Sequence, residues 1–203
     1  MIETDNMVRD EALVSPSAHA DGCPQELSVS EREAMRWFVM RAVYCRELKA
    51  KALLDEEGVM CFVPMRKVRN DDGRFESVPA VHNYIFVRTC REFMDGWKKE
   101  MEFKCPVRYC IDPATGKPMF VRDREMDDFI RVTQDVKGDG IIYLDNPGVA
   151  VTKGKSVEVV AGKFKGVQGK ILRILRDRKV VLSIGGVVSV AISGIPFRYM
   201  KEI

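Results

Sequence analysis

The arrangement of apolar and polar positions divides the chain into three stretches. Residues 1–33 are polar and acidic with no apolar period, which predicts a flexible extension, and the S-x-x-E spacing of Ser30 and Glu33 reads as accidental. From Arg36 the periods become legible. Residues 37–43 (WFVMRAV) predict a buried strand. Residues 46–57 predict a helix with Leu48, Ala52 and Leu53 at helical spacing and Gly58 as its stop. A second strand begins at Val59 and runs into Asp71-Asp72-Gly73-Arg74, a hairpin signal, after which a returning strand reaches Thr89 with 79–87 (PAVHNYIFV) as its most apolar part. Residues 91–101 predict a short helix, 107–111 a strand, 112–116 a turn, and 123–134 a helix presenting Met126, Phe129, Ile130 and Thr133 on one face. The order βαββαβα predicts an α+β domain with an antiparallel sheet flanked by helices.

The period lapses over 138–152, rich in Gly, Asp, Asn and Pro, except at Ile141–Leu144; this stretch is expected to be a linker. Beyond it the texture is all-β. Five short strands, at 156–160, 167–175, 179–184, 187–192 and 199–203, are separated by Gly-rich or Asp-Arg turns, and so many strands in so few residues call for a small barrel, whose closure removes sheet edges. The expected units are thus 1–33, 34–137, 138–152 and 153–203.

Composition narrows the classes. With 46% apolar and 31% charged residues in 203, the chain is neither wholly disordered nor fibrous. Its net charge of +3 conceals a gradient, since residues 1–35 carry 2 basic and 8 acidic side chains whereas residues 151–203 carry 11 basic and 3 acidic. A basic end of this kind suits a nucleic-acid or ribonucleoprotein partner, and a solvated basic face accounts for it nearly as well. The longest apolar candidate, 180–195, is interrupted by Ser183, Gly185, Gly186 and Ser189, and the N-terminus lacks a secretory h-region; the expectation is a cytoplasmic protein with no membrane segment. Six cysteines form no CxxC pair and only His19 and His82 accompany them, so no metal site of ordinary spacing can be written and the thiols are expected to be reduced core residues. No phosphate loop, nucleophile elbow or paired carboxylates appear; no catalytic residue and no cofactor is expected.

Two segments resemble known families. Lys153-Gly154-Lys155-Ser156-Val157 followed by Gly162-x-Phe164-x-Gly166-x-x-Gly169 resembles a KOW motif, where glycines let the strands turn and Phe164 plugs the mouth of an SH3-like barrel. Arg36-Trp37-Phe38-Val39, the charged helix after it, Phe62-Val63-Pro64 and the PAVHNYIFV segment resemble the N-terminal domain of NusG-family transcription elongation factors. In that family the last segment usually reads P-L-F-P-x-Y-x-F-V, so Val81-His82 is a departure. The acidic extension and this departure place the chain nearer the RfaH-like antiterminators, including those serving polysaccharide operons.

The resemblance implies a non-enzymatic, monomeric elongation or antitermination factor that grips the clamp of RNA polymerase and suppresses pausing or termination. It implies polymerase contacts at Val39, Arg41, Val81, Tyr84 and Phe86, with Tyr84 and Phe86 on one face of their strand and Val39 and Arg41 on one face of theirs. The alternative for the two aromatics is burial in an ordinary core, where aromatic strand residues usually pack, whereas Arg41 on the same face favours a rim. A second jaw contact would fall near Met94, Asp95, Gly96 and Trp97, although Trp97 reads more readily as core. Non-template DNA or nascent RNA would meet Arg46, Lys49 and Arg74, against which stands a solvated charged face neutralised by neighbouring acids. The KOW motif residues Gly162, Phe164, Gly166 and Gly169 would shape a barrel that recruits a ribosomal protein or the Rho factor. β-branched runs at 180–182 and 187–190 argue that this barrel is constitutive and not a helical hairpin. The competing reading is an RNA- or ribosome-binding KOW protein without a polymerase role.

Overall fold

A computed structural model describes residues 35–134, 141–144, 154–174, 177–185 and 187–203. The expectations for the acidic extension and for the spacing at Ser30 and Glu33 lie outside these residues. The first unit is a five-stranded antiparallel sheet built around β1 (Arg36–Ala42), with β5 (Tyr84–Thr89) on one side and β6 (Val107–Tyr109) and β7 (Phe120–Val121) on the other. The short β2 (Cys61–Phe62) pairs with the outer edge of β5. β3 (Met65–Arg69) and β4 (Phe75–Pro79) form a separate ribbon turned by Asn70-Asp71-Asp72-Gly73, where the Arg74 N–H donates to the Asn70 side chain. The strand expected to run unbroken to Thr89 is therefore two. Its interruption centres on Asn83, a residue at φ +69°, whose carbonyl accepts the N–H of Ala42 and whose side chain accepts the N–H of Cys45. An Asn tolerates this left-handed backbone better than most residues.

Period-two alternation gives the central sheet two faces. Phe38, Met40, Ala42, Ile85 and Val87 point to one, packed with Ala50 and Leu54 of α1 (Glu47–Glu56) and Met94 and Trp97 of α2 (Arg91–Glu100). In α1 the buried positions are Glu47, Ala50 and Leu54, while Leu48 and Ala52 face solvent and Leu53 is half-buried. The expected apolar stripe is thus rotated. Leu48 and Ala52 share a face at i, i+4 spacing, but small Ala50 is what allows the helix to approach β1 and β5.

The opposite face carries Trp37, Val39 and Phe86, with Val121 alongside Trp37 and Phe62 alongside Phe86. Onto it packs α3 (Asp123–Gln134), which buries Met126, Phe129, Val132 and Thr133; Ile130, expected on this stripe, is only half-buried. The Thr133 hydroxyl is satisfied by donating to the Phe129 carbonyl within the helix.

The second unit is a six-stranded antiparallel sheet in the order β13-β9-β10-β11-β12-β8, where β8 is Ile141–Leu144, β9 Lys155–Val159, β10 Gln168–Ile174, β11 Asp177–Ile184, β12 Val188–Ile192 and β13 Met200–Glu202. The fold class is the one the sequence implies, an antiparallel α+β domain followed by a small all-β unit. Ile141–Leu144, inside the expected linker, is a strand paired with β12. The β-branched runs at 180–182 and 188–190 are strands, as their propensity implies, while Val187 closes the turn between them.

Candidate functional site

Cross-strand register decides which nominated side chains meet. Val39 lies opposite Phe86 and Arg41 opposite Tyr84, so all four project from the same face of the β1–β5 pair. Val81, in the interrupted segment before β5, is half-buried against the same apolar cluster. The five residues nominated for polymerase thus form one patch. Arg41 is exposed at its rim, next to Arg108 of β6, and Tyr84 is half-buried.

The centre of the patch is covered. Phe86 is fully buried, its ring 5.6 Å from that of Phe129, which also meets Phe62 at 5.9 Å; both pairs are edge-on, the arrangement ring quadrupoles favour. The cover extends into the second unit. One continuous apolar cluster runs from Trp37, Val39 and Phe86 through α3 to Val180, Leu182, Ile184 and Val190. At the β11–β12 turn Gly185 comes so near the sheet that a Cβ there would lie 2.8 Å from Val39 Cγ2 and 3.4 Å from Val121 Cγ2. Two polar links flank this contact. The backbone N–H of Gln168 in β10 lies near enough to the Asp128 carboxylate of α3 to favour its charged form, and the Tyr143 hydroxyl of β8 donates to the Met65 carbonyl at 3.4 Å.

Burial leaves its mark on these groups. It pushes the Asp128 carboxyl above the ordinary carboxylate value, against the opposing pull of Arg131 and the Gln168 N–H, and lifts the Tyr143 phenol to about 12. The Cys110 thiol, behind the patch, is raised by burial to about 11, with the positive charge of Arg41 acting in the opposite sense. Cys61 rises to about 12, through burial first, with Lys51 opposing and Asp55 adding to the rise. Cys90 and Cys105 are buried and Cys45 is exposed; all five described cysteines are free thiols.

The remaining candidates scatter. Arg46 and Lys49 sit at the start of α1, whereas Arg74 is on the β3–β4 ribbon. Of the second-jaw segment, Met94 and Trp97 are buried core, Gly96 is exposed, and Asp95 is paired with Arg91 and Lys98. In the Gly-x-Phe loop, Gly162 at φ +85° and Gly166 at φ +90° adopt a backbone that side chains rarely enter, and Phe164 is buried between them. Gly169 is present for a different reason: a Cβ there would meet the Val181 carbonyl oxygen at 2.7 Å, so its absence lets β10 and β11 close. Among the barrel cations, Lys163 lies over the Phe164 ring, while Lys179 is buried with its ammonium on Ser193 and so does not join a surface cluster. The side chains of Arg173, Arg176 and Arg178 lie outside the described residues.

Sequence reasoning could nominate the patch but not its cover, because Gly185, Gln168 and Tyr143 carry no local signal of contact with a distant sheet. It also passed over Tyr44, an exposed aromatic whose left-handed backbone emerges only from the fold.

Two family models match the chain. The one described as "Transcription termination factor nusG" matches residues 35–130, and that of the KOW motif matches residues 153–183. A solved structure titled "Domain interaction in Thermotoga maritima NusG" is similar at 19% identity and a TM-score of 0.45, over 83% of this chain and 97% of that one. No curated protein matches the sequence. Among the described residues no helix is long and apolar enough to cross a membrane. Residues 35–130 are thus similar to the NusG family model, and residues 153–183 to the KOW motif.

Proposed function

We propose that this chain is a non-enzymatic transcription elongation or antitermination factor. Its first domain grips the clamp of RNA polymerase through Val39, Arg41, Val81, Tyr84 and Phe86, and so suppresses pausing or termination. Its KOW domain recruits a second partner, a ribosomal protein or the Rho factor, and the factor serves a dedicated operon such as one for polysaccharide synthesis. The observation that supports this most is the convergence of Val39, Arg41, Tyr84 and Phe86 on one sheet face, with Val81 against the same apolar cluster, giving a charged rim and an apolar centre. Such a centre is the usual composition of a strong docking patch.

Because the second unit and α3 lie on that face, polymerase and the barrel compete for it. A polymerase-bound population would then have to be drawn from molecules in which the barrel has moved away, which lowers apparent affinity by the fraction that is open. The test is binding of the full chain to bacterial RNA polymerase, with transcript assays of pausing. Wild type should bind, Gly185→Val should bind more tightly by forcing the barrel off Val39, and the folded double variant Arg41→Glu/Tyr84→Ser should bind weakly. Equal binding by all three would move the contact off this face. No binding by any of them, together with binding to ribosomes, would favour the KOW protein without a polymerase role.

A further inference from the structure

Two aromatic side chains stand in solvent at the corner where β1 turns into α1. Phe103, in the turn after α2, is 93% exposed, and Tyr44 is 78% exposed. Tyr44 (φ 61°, ψ 38°) and Cys45 (φ 53°) both occupy the left-handed region, which is costly for residues with a Cβ; the Asn83 side chain holds them there by accepting the Cys45 N–H. Arg46 brings the two aromatic segments together. Its guanidinium lies 5.8 Å from the Tyr44 ring centre and donates at 3.1 Å to the carbonyl of Lys104, the residue after Phe103. Large apolar groups gathered at an exposed corner mark an interaction surface.

The charge of this corner selects the partner. Among the described residues, Arg46, Lys49 and Lys104 enter no ion pair, and the acid in the first turn of α1, Glu47, is buried against His82 at 3.6 Å. A peptide with acids among apolar side chains complements such a surface. The chain carries one: residues 1–28 hold six acids against one basic residue, Arg9, interspersed with Ile2, Met7, Val8, Leu13, Val14 and Leu27. The segment is also long enough. It joins β1 at Arg36, and at roughly 3.3 Å per strand residue Tyr44 lies about 25 Å from that junction. An extended chain spans up to ~3.5 Å per residue, so all of residues 1–28 have the length to lie against Tyr44. Tethering holds the segment at an effective concentration of about the mM range, where weak contacts suffice. The barrel, the other basic surface, offers less. Among its described cations, Lys155 pairs with Glu202, Lys163 lies over the Phe164 ring, Lys179 is buried against Ser193, and Arg198 lies over the Tyr199 ring.

We infer that the acidic N-terminal segment, residues 1–28, docks on the surface formed by Tyr44, Arg46, Lys49, Phe103 and Lys104 of its own chain, covering the two rings and setting its acids against the three cations. Any other ligand of this corner must then displace the segment first. The inference uses no residue of the patch around Val39 and Phe86, so its failure would leave the polymerase reading standing.

A native pair of thiols reports the contact, since Cys23 belongs to the segment and the exposed Cys45 adjoins Tyr44. The dilute full chain is treated with a short bismaleimide at low salt, and the products are mapped by peptide mass spectrometry. An intramolecular Cys23–Cys45 link is expected as the main product. Its yield should fall about threefold at about 1 M salt, where the screening length is only ~3 Å. The same fall is expected for Asp10→Asn/Glu11→Gln/Asp21→Asn/Glu26→Gln, which alters no described residue. It is expected too for Tyr44→Gly/Phe103→Ser, which removes both exposed rings and suits the left-handed backbone at position 44. Amide NMR of the full chain should show Tyr44, Phe103 and Lys104 shifted between wild type and the acid-neutralised variant. A yield that neither salt nor neutralisation changes would mean random collision of a tether, and unmoved amides at those three positions would mean that the segment does not cover them; either overturns the inference. A dimer linked through Cys45 as the main product would assign the surface to a second copy, and overturn it as well.

Discussion

Gly185→Ala tests the contact between the two units at its tightest point. The new methyl would stand 2.8 Å from Val39 Cγ2, roughly 0.7–1.2 Å inside ordinary carbon–carbon contact. Val39 has little room to yield. It is fully buried, β-branched with a stiff χ1, and sits on the central strand between β5 and the β6–β7 edge. Overpacking of this kind costs about 1–3 kcal/mol. Gly185 also has φ +54°, so alanine adds backbone strain of about 1–2 kcal/mol that has nothing to do with the interface. Gly194 supplies the control. It has φ +73° in the same barrel, and a methyl added there would have nothing within 4 Å, so Gly194→Ala carries the strain alone. Chemical denaturation of the full chain should show Gly185→Ala less stable than Gly194→Ala by about 1–3 kcal/mol. Amide NMR shifts should move at Val39 and Val121 in the first variant only. Val39→Ala should be costly by itself yet partly rescue Gly185→Ala, a coupling that distant sites do not show. Equal costs for the two glycine variants, with Val39→Ala fully additive, would refute the close approach.

Phe129→Ala should destabilise the chain by about 3–5 kcal/mol in denaturant melts, since it removes the ring that Phe62 and Phe86 both pack against; a loss under about 1 kcal/mol would mean that the face is not sealed there. Asp128 gives a pH dependence with a definite sign. Its folded-state pKa is raised above 3.8, so between the two values the folded chain binds the proton more tightly, and this contribution to stability is greatest at low pH and fades as pH rises through that window. Asp128→Asn removes the titrating group at this position; its melting temperature relative to wild type should climb with pH across the window, and a decline would show that the charged form is the favoured one. Maleimide labelling followed by peptide mass spectrometry should modify Cys45 well before Cys61 and Cys110, whose thiols burial holds at about 12 and about 11; early labelling of Cys61 would contradict its packing.

Particular elements show how much of the fold is written locally. The hairpin at Asp71-Asp72-Gly73, the helix Asp123–Gln134 and the five barrel strands are legible in the sequence because turn chemistry, caps and period act within a few residues. The two-residue strand at Phe120–Val121 is not, since so short a segment has no period and exists only because β1 offers it an edge. The stripe of α1 differs from the expected one because the helix is weakly amphipathic, and the closeness of the sheet selects Ala50 over the larger Leu48.

The sequence by itself determined the two-unit order, the strand and helix segments, the Gly-x-Phe loop and the alternation that sets Val39 and Arg41, or Tyr84 and Phe86, on a common face. These are consequences of local propensity and of side-chain periods of 2 and 3.6. Only the tertiary structure decided that the two pairs face the same way, that α3 and the barrel cover their centre, that Ile141–Leu144 joins the second sheet, and that Tyr44 is turned outward among cations. Each of these depends on groups far apart in the chain meeting in one register. A contact such as Gly185 against Val39 joins residues 146 positions apart, and no local preference of either can specify it.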